Sequence, residues 1–225
     1  TGTDNIAIGR SSLSASTDGA DNIAIGKNAL AVSAGVADCN IAIGDTAMGG
    51  ADVSGANNIA MGYAAMDALT TGACNIAIGI NAYGTALAGH QNIAIGDTAM
   101  GGSAVTGANN IALGQVAMDA LEAGNGNIAI GGSNTLGQLT DGDYNIGIGD
   151  RALGGAATTG DNNIAIGCYT ADAITSGACN IAMGTNALGT STTGCENIAI
   201  GLQAMGGADT TGIHNIAMGT YAMDA

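Results

Sequence analysis

The feature that most constrains this chain is a five-residue unit, Asn-Ile-Ala-Ile-Gly, which recurs thirteen times at spacings of 17 or 18 residues. Ile follows the Asn in every copy, and Gly stands four residues after it in every copy. Self-similarity at such a period is typical of solenoids, whose repeats bury their apolar faces by stacking on one another. The sequence therefore predicts one repeat array over residues 1–225. The unit begins at Asn5, Asn22, Asn40, Asn58, Asn75, Asn92, Asn110, Asn127, Asn145, Asn163, Asn180, Asn197 and Asn215.

The unit itself favours a β-strand. Apolar residues alternate, so the two Ile side chains share one face of a strand and the Ala lies on the other. β-branched Ile prefers strands, and each interior Gly would cost a helix about 1 kcal/mol. We therefore expect an all-β fold, a parallel β-solenoid of about thirteen coils of 17–18 residues. Each strand would pair with its copy one coil away, roughly 4.8 Å along the axis.

The direction of each side chain is a further expectation. With the Asn as position zero, the two Ile side chains at +1 and +3 are expected to be buried, with those at +1 pointing inward, and a Leu or Met at +8 is the third large core residue. The Asn is expected to form a structural ladder of stacked amides at an inward corner. The alternative is that it only forms a local Asx-turn. Position +2 is Ala in every copy except Gly147, and we expect this face to be buried against another sheet or chain.

Composition and charge exclude several classes of function. The net charge is −15 with only 3 Lys and Arg residues, so neither a nucleic acid nor an anionic membrane surface is an expected partner. Gly or Asn interrupts every apolar run well before the roughly 20 residues of a membrane span, so no membrane insertion is expected. The chain has 40 Gly and no Trp, Phe or Pro, which indicates a thin and regular core.

Candidate chemical groups are few. His90 and His214 lie over a hundred residues apart, and the carboxylates Asp45, Asp97 and Asp150 recur only every third coil. Three coils span roughly 14 Å, too far for these carboxylates to share one ion, so we interpret them as solvated surface groups. No catalytic, cofactor-binding or metal site is expected, and the chain is predicted not to be an enzyme.

The odd number of cysteines fits neither a disulfide framework nor a zinc site. Three of them occupy the residue before the Asn, but no two of these three lie on adjacent coils. We interpret the cysteines as small corner residues, and disulfides between chains of an oligomer are the alternative. The five are Cys39, Cys74, Cys168, Cys179 and Cys195.

A longer period of three coils, 52 or 53 residues, overlies the repeat. Asp67, Asp119 and Asp172 recur with it, nine residues after their Asn. Duplication of a three-coil block explains this period, and the alternative is that every third coil presents a distinct edge to a partner. The chain begins at Thr1 in a corner and stops at Ala225 partway through a coil. Because repeat arrays normally end in atypical caps, we expect an uncapped slice of a longer fibre.

The segment from Asn58 to Gly72, Asn-Ile-Ala-Met-Gly-Tyr-Ala-Ala-Met-Asp-Ala-Leu-Thr-Thr-Gly, resembles the Asn-Thr-Ala-Ile-Gly repeat of predicted phage tail-fibre and bacterial surface fibre proteins. The whole chain is also similar to the heads of trimeric autotransporter adhesins. The resemblance implies an elongated homotrimer located extracellularly, on a cell surface or on a virion. Any host-surface receptor would be bound through flanking segments.

Together these observations predict the structural shaft of an extracellular or virion fibre. Its partner would be itself, as a parallel homotrimer joined through the Ala face, because a rotational axis along the shaft closes the interface. The alternative is an ice-binding or other flat-face binding β-solenoid. That class usually carries a regular outward Thr column, whereas Thr occurs irregularly here, as in Thr70 and Thr71 against Ala123.

Overall fold

The computed structural model describes residues 2–15, 18–33, 37–207 and 211–224. In this part of the chain each repeat contributes one short strand, the strands are parallel, and no helix occurs. The predicted all-β parallel solenoid is thereby confirmed. The chain divides into two compact units, residues 1–109 and 110–225. The expected ends of the array, Thr1 and Ala225, lie outside the described residues.

Each strand has three residues and pairs in register with its neighbour within the unit. Ile23 lies opposite Ile41 and Ala24 opposite Ala42, for example. The first unit contains β1 (Ile6–Ile8), β2 (Ile23–Ile25), β3 (Ile41–Ile43), β4 (Ile59–Met61), β5 (Ile76–Ile78) and β6 (Ile93–Ile95). The second contains β7 (Ile111–Leu113), β8 (Ile128–Ile130), β9 (Ile146–Ile148), β10 (Ile164–Ile166), β11 (Ile181–Met183), β12 (Ile198–Ile200) and β13 (Ile216–Met218).

The Gly after each strand ends it for two reasons. Gly26 has a φ of 139°, a conformation that L side chains rarely adopt. A Cβ atom there would also collide with the carbonyl oxygen of Gly44 in the next coil. At the Gly three residues before the Asn only the steric constraint applies, as at Gly55, where a Cβ atom would collide with the carbonyl oxygen of Gly72. Glycine thus allows successive coils to approach closely.

The corners use left-handed backbone at non-glycine residues, which is uncommon. Asn28 and Leu30 have φ values of 56° and 47°. Both conformations are held by hydrogen bonds that run between coils: the Asn28 amide donates to the Arg10 carbonyl and the Leu30 amide to the Ala47 carbonyl, each at 2.9 Å. The stack of coils therefore stabilises backbone conformations that an isolated coil would not hold.

The predicted facing of the strands is wrong. The central Ala is fully buried, as in Ala24, Ala42 and Ala165, whereas the flanking Ile side chains are half-buried or exposed. The Ile at +1 therefore points outward, and the Ala face, although buried as expected, is buried inside its own coil. The physical reason is visible at Gly147, where a Cβ atom would already lie 3.0 Å from Leu136 Cγ. The interior has no room for a larger side chain at this position.

The opposite walls of each coil supply the large core residues. The Leu or Met expected at +8 is fully buried, as in Leu30, Met48 and Met100, and it follows a buried Ala. A further apolar side chain, eleven to thirteen residues after the Asn, was not anticipated from the sequence. This position is occupied by Leu, Val or Ile in several coils, including Val53, Leu69, Val105, Leu121, Leu139 and Ile174, all fully buried.

Candidate functional site: the outer isoleucine face

The most distinctive surface is formed by the residues one and three positions after each Asn, here called the outer isoleucine face. Every side chain on it is Ile, Leu or Met, and none is polar or charged. In the first unit it comprises Ile6, Ile8, Ile23, Ile25, Ile41, Ile43, Ile59, Met61, Ile76, Ile78, Ile93 and Ile95. In the second it comprises Ile111, Leu113, Ile128, Ile130, Ile146, Ile148, Ile164, Ile166, Ile181, Met183, Ile198, Ile200, Ile216 and Met218.

These side chains remain open to solvent even within the stack. Ile78 and Ile95 are each 38% exposed and Ile130 is 40% exposed, although strands flank them. Tyr63 and Ile80, which follow the face on consecutive coils, are both more than half exposed. Each unit therefore presents regular, uncharged rows of branched aliphatic side chains. Apolar patches of a few hundred Å² on soluble proteins are often binding surfaces.

The Asn side chains form a ladder within each unit. The backbone N–H of Asn58 donates to Oδ1 of Asn40 at 2.8 Å, and the side-chain Nδ2 of Asn58 donates to the same oxygen at 3.1 Å. Nδ2 of Asn58 also donates to the Gly72 carbonyl at 2.9 Å. One side chain thus ties its own coil to both neighbours and satisfies buried polar groups, which would otherwise be costly.

Tyr83 extends this network in one coil. It occupies the +8 position, is fully buried, and its hydroxyl oxygen accepts a hydrogen bond from Nδ2 of Asn92 at 2.7 Å. Burial raises the pKa of the Tyr83 hydroxyl, and the bond from Asn92 opposes this shift. The hydroxyl therefore stays protonated and acts as part of the core.

Asp97 and Asp150 are exposed and Asp45 is half-buried, but the Asp nine residues after the Asn, which also recurs every third coil, packs against a neighbouring coil. A Cβ on Gly50 would lie 2.6 Å from Oδ2 of Asp67, so the carboxylate packs over this glycine of the preceding coil. Asp172 packs in the same way over Gly155 and lies 3.4 Å from Nη2 of Arg151. Burial raises the pKa of Asp67, and the backbone N–H groups of Gly50 and Gly49 oppose the shift. Burial likewise raises the pKa of Asp172, opposed by Arg151.

The two His residues lie in different units and have different roles. Nδ1 of His90 accepts the Ala73 amide N–H at 3.1 Å. Nε2 of His214 lies 2.7 Å from Oε2 of Glu196 on the exposed surface. His90 occupies the position two residues before the Asn, where other coils use an Asp oxygen for the same purpose, as Asp38 does for the Ala20 amide. These contacts join consecutive coils.

The cysteines are reduced in the structure, and those directly before the Asn are not buried as small apolar corner residues would be. Cys39, Cys74 and Cys179 are exposed, while Cys168 and Cys195 are half-buried. Cys179 and Cys195 lie on consecutive coils, one residue apart in register, so their proximity is not visible among cysteines that share one repeat position.

Within the described residues no cavity is found, and no three His, Cys, Asp or Glu side chains are placed to hold one metal ion. The same part of the chain has no helix long and apolar enough to cross a bilayer. Comparisons with protein-family models, curated proteins and solved structures gave no match. The fold defines the class as a β-solenoid repeat protein, and any function must be inferred from its surfaces.

Proposed function

We propose that this chain is a structural shaft of an extracellular or virion fibre, without catalysis, in which copies of the chain associate through the outer isoleucine face. The observation that carries the proposal is the uncharged aliphatic face itself. A chain of net charge −15 repels its own copies wherever its acids meet. The outer isoleucine face carries no charge, so it is the surface on which two copies meet at the lowest electrostatic cost.

Burial of this face is favourable by the hydrophobic effect, at about 25 cal/mol per Å² of apolar surface. The strand face of the second unit is seven strands long and three residues wide, about 34 by 10 Å from standard strand dimensions. Stable interfaces bury about 800 Å² per partner, so this strand face alone covers less than half of that. Association should therefore strengthen as more coils join the interface, which suits a long repeat array.

A parallel homotrimer is the proposed arrangement. Cyclic symmetry about the shaft turns every copy of the face toward the common axis, so that this face is closed to further lateral growth. The resemblance of the repeat to tail-fibre and adhesin sequences supports both the trimer and the extracellular location. The Ala face, which the sequence suggested as the interface, is already occupied inside each coil and is not available to a partner.

Sedimentation equilibrium of the full chain tests this proposal. The expected mass is three times 21.4 kDa, and Ile95→Glu, on the outer isoleucine face, should shift the equilibrium toward monomer. Leu87→Glu is the matched control, because Leu87 is 41% exposed against 38% for Ile95 but lies elsewhere on the same unit. A wild-type monomer, or equal effects of the two substitutions, would refute assembly through this face.

The second candidate is ice binding or another form of flat-face binding. The observation in its favour is that the outward rows repeat in register at the strand spacing. Thermal hysteresis of the wild-type chain distinguishes the two candidates. A freezing-point gap that Ile95→Glu abolishes would support ice binding, and no gap beside a stable trimer would exclude it.

A further inference from the structure

Two cysteines of the second unit lie at the same corner of consecutive coils. Cys179 directly precedes Asn180, and Cys195 stands two residues before Asn197. The Glu196 amide donates to the Ala178 carbonyl at 3.0 Å, and the Ala178 amide donates to Sγ of Cys195 at 3.4 Å. Cys195 therefore lies directly against Ala178, which is the chain neighbour of Cys179.

The backbone separation suits a disulfide. One coil spacing of roughly 4.8 Å combined with one Cα step of 3.8 Å places the two Cα atoms about 6 Å apart. Disulfides bridge Cα atoms that lie roughly 4.4–6.8 Å apart. Sγ of Cys195 accepts a hydrogen bond from the Ala178 amide at 3.4 Å and donates one to the Thr193 carbonyl at 3.5 Å. Sulfur forms weak hydrogen bonds, so rotation about χ1 releases it at small cost.

We propose that Cys179 and Cys195 form an intrachain disulfide that clasps two consecutive coils when the chain meets an external disulfide. The exposed Cys179 thiolate attacks that reagent, forms a mixed disulfide and releases the first reagent thiol. The Cys195 thiolate then displaces the second reagent thiol. The two cysteines lose two protons and two electrons in total, and the reagent disulfide is reduced to two thiols.

The other cysteines provide an internal comparison. Cys39 and Cys74 are exposed at the same repeat position as Cys179 but lie two coils apart. Two coil spacings are about 9–10 Å, beyond disulfide reach. Cys168 stands five residues after Asn163, just past its strand, and does not lie at the corner before an Asn. The geometry therefore assigns one intrachain pair out of five cysteines.

The test uses the folded full chain at low concentration with excess oxidised glutathione, followed by alkylation of the remaining thiols. Cyanogen bromide cleaves after Met, and Met183 lies between the two cysteines. Fragments 119–183 and 184–205 should remain joined, with the mass of the two fragments less two hydrogen atoms plus one alkyl group on Cys168, and should separate on reduction. The joined species should disappear in Cys179→Ser and persist in Cys168→Ser. Both variants should give the wild-type circular dichroism spectrum under reducing conditions.

Amide hydrogen exchange is a second test of the Cys179–Cys195 disulfide. Because a cross-link restricts local opening of the coils it joins, amide exchange at Ile181 and Ile198 should slow on oxidation. Exchange at Ile41 and Ile59 in the first unit should not change. The proposal is overturned if the fragments separate without reductant, if Cys168→Ser removes the link, if the link forms only in denaturant, or if covalent dimers form instead.

Discussion

The two faces of the same short strand follow opposite rules. The inner face carries the Asn at position zero and, at +2, Ala in every coil but one, where it is Gly147. These residues are almost completely buried in most coils. The outer face accepts Ile, Leu or Met, and it stays partly open to solvent. The small residue at +2 marks a closely packed position of the interior, while the large apolar residues of the strand mark its surface. Side-chain volume at a repeat position reports the space available, and burial must be established separately.

The largest expected effect comes from placing a charge on the inner face. Ala165→Asp in β10 should destabilise the chain by about 4 kcal/mol or more, because an unpaired carboxylate would enter a fully packed interior. Ile164→Asp, one residue away on the outer face, should cost only about 1–2 kcal/mol of folding free energy. Thermal unfolding of both variants checks this difference. A larger loss for Ile164→Asp would reverse the assignment of the two faces.

The next effect concerns the Asn ladder of the inner face. Asn145→Ala should lower the free energy of unfolding by about 2–4 kcal/mol. The substitution removes Oδ1 of Asn145, which accepts the backbone N–H of Asn163 at 2.9 Å, and Nδ2, which donates to the Gly160 carbonyl at 2.9 Å, so both buried backbone groups lose a partner. Asn5→Ala, in the half-buried first coil, should cost clearly less. Denaturant titration monitored by circular dichroism provides both values. Equal losses at the two sites would show that burial of the ladder is not what makes it stabilising.

A smaller, pH-dependent effect is expected at Asp67, which lies over a glycine of the preceding coil. Burial raises its pKa above the ordinary 3.8, so the charged form disfavours folding near neutral pH. Stability from this group rises as pH falls through the raised folded pKa, and the gain is complete below 3.8. Asp67→Asn should therefore raise the melting temperature at pH 7 but not at pH 3.

Asp21→Asn is the matched control for that comparison, because Asp21 is exposed at a corner and the substitution also removes one negative charge. If the two variants gain equally at pH 7, relief of net repulsion explains the result and the local environment of Asp67 does not.

The smallest expected effect is at Gly147, the one inner-face position without Ala. A Cβ atom there would lie 3.0 Å from Leu136 Cγ and 3.1 Å from the Ala152 carbonyl oxygen. Twelve other coils accommodate Ala at this position, and Ala reduces the entropy of the unfolded chain. Gly147→Ala should therefore stabilise the chain by about 0.5 kcal/mol. A clear loss of melting temperature would show that Leu136 cannot yield, and that this coil is tighter than the others.

Much of the architecture followed from the repeat alone. Its period predicted the solenoid, and its alternation predicted the strands. The position of the Asn predicted that its side chain could bond to the next coil, as Asn40 and Asn58 do. These features are local or periodic, so they are contained in the order of residues along the chain.

Other features depended on what faces each residue across the coil. An alternation of period two defines two faces but does not say which one is inside, because that depends on the volume left by the opposite walls. Leu30 and Leu69 fill that volume, so Ala fits at +2 and Ile does not. The packing of Asp67 over Gly50 also joins residues of different coils at different repeat positions. Cys179 and Cys195 likewise stand at different repeat positions on consecutive coils. The sequence by itself determined the period, the strands and the turns of this protein. Only the tertiary structure decided which side of each strand is its surface, since that choice is made by packing between segments that are distant along the chain.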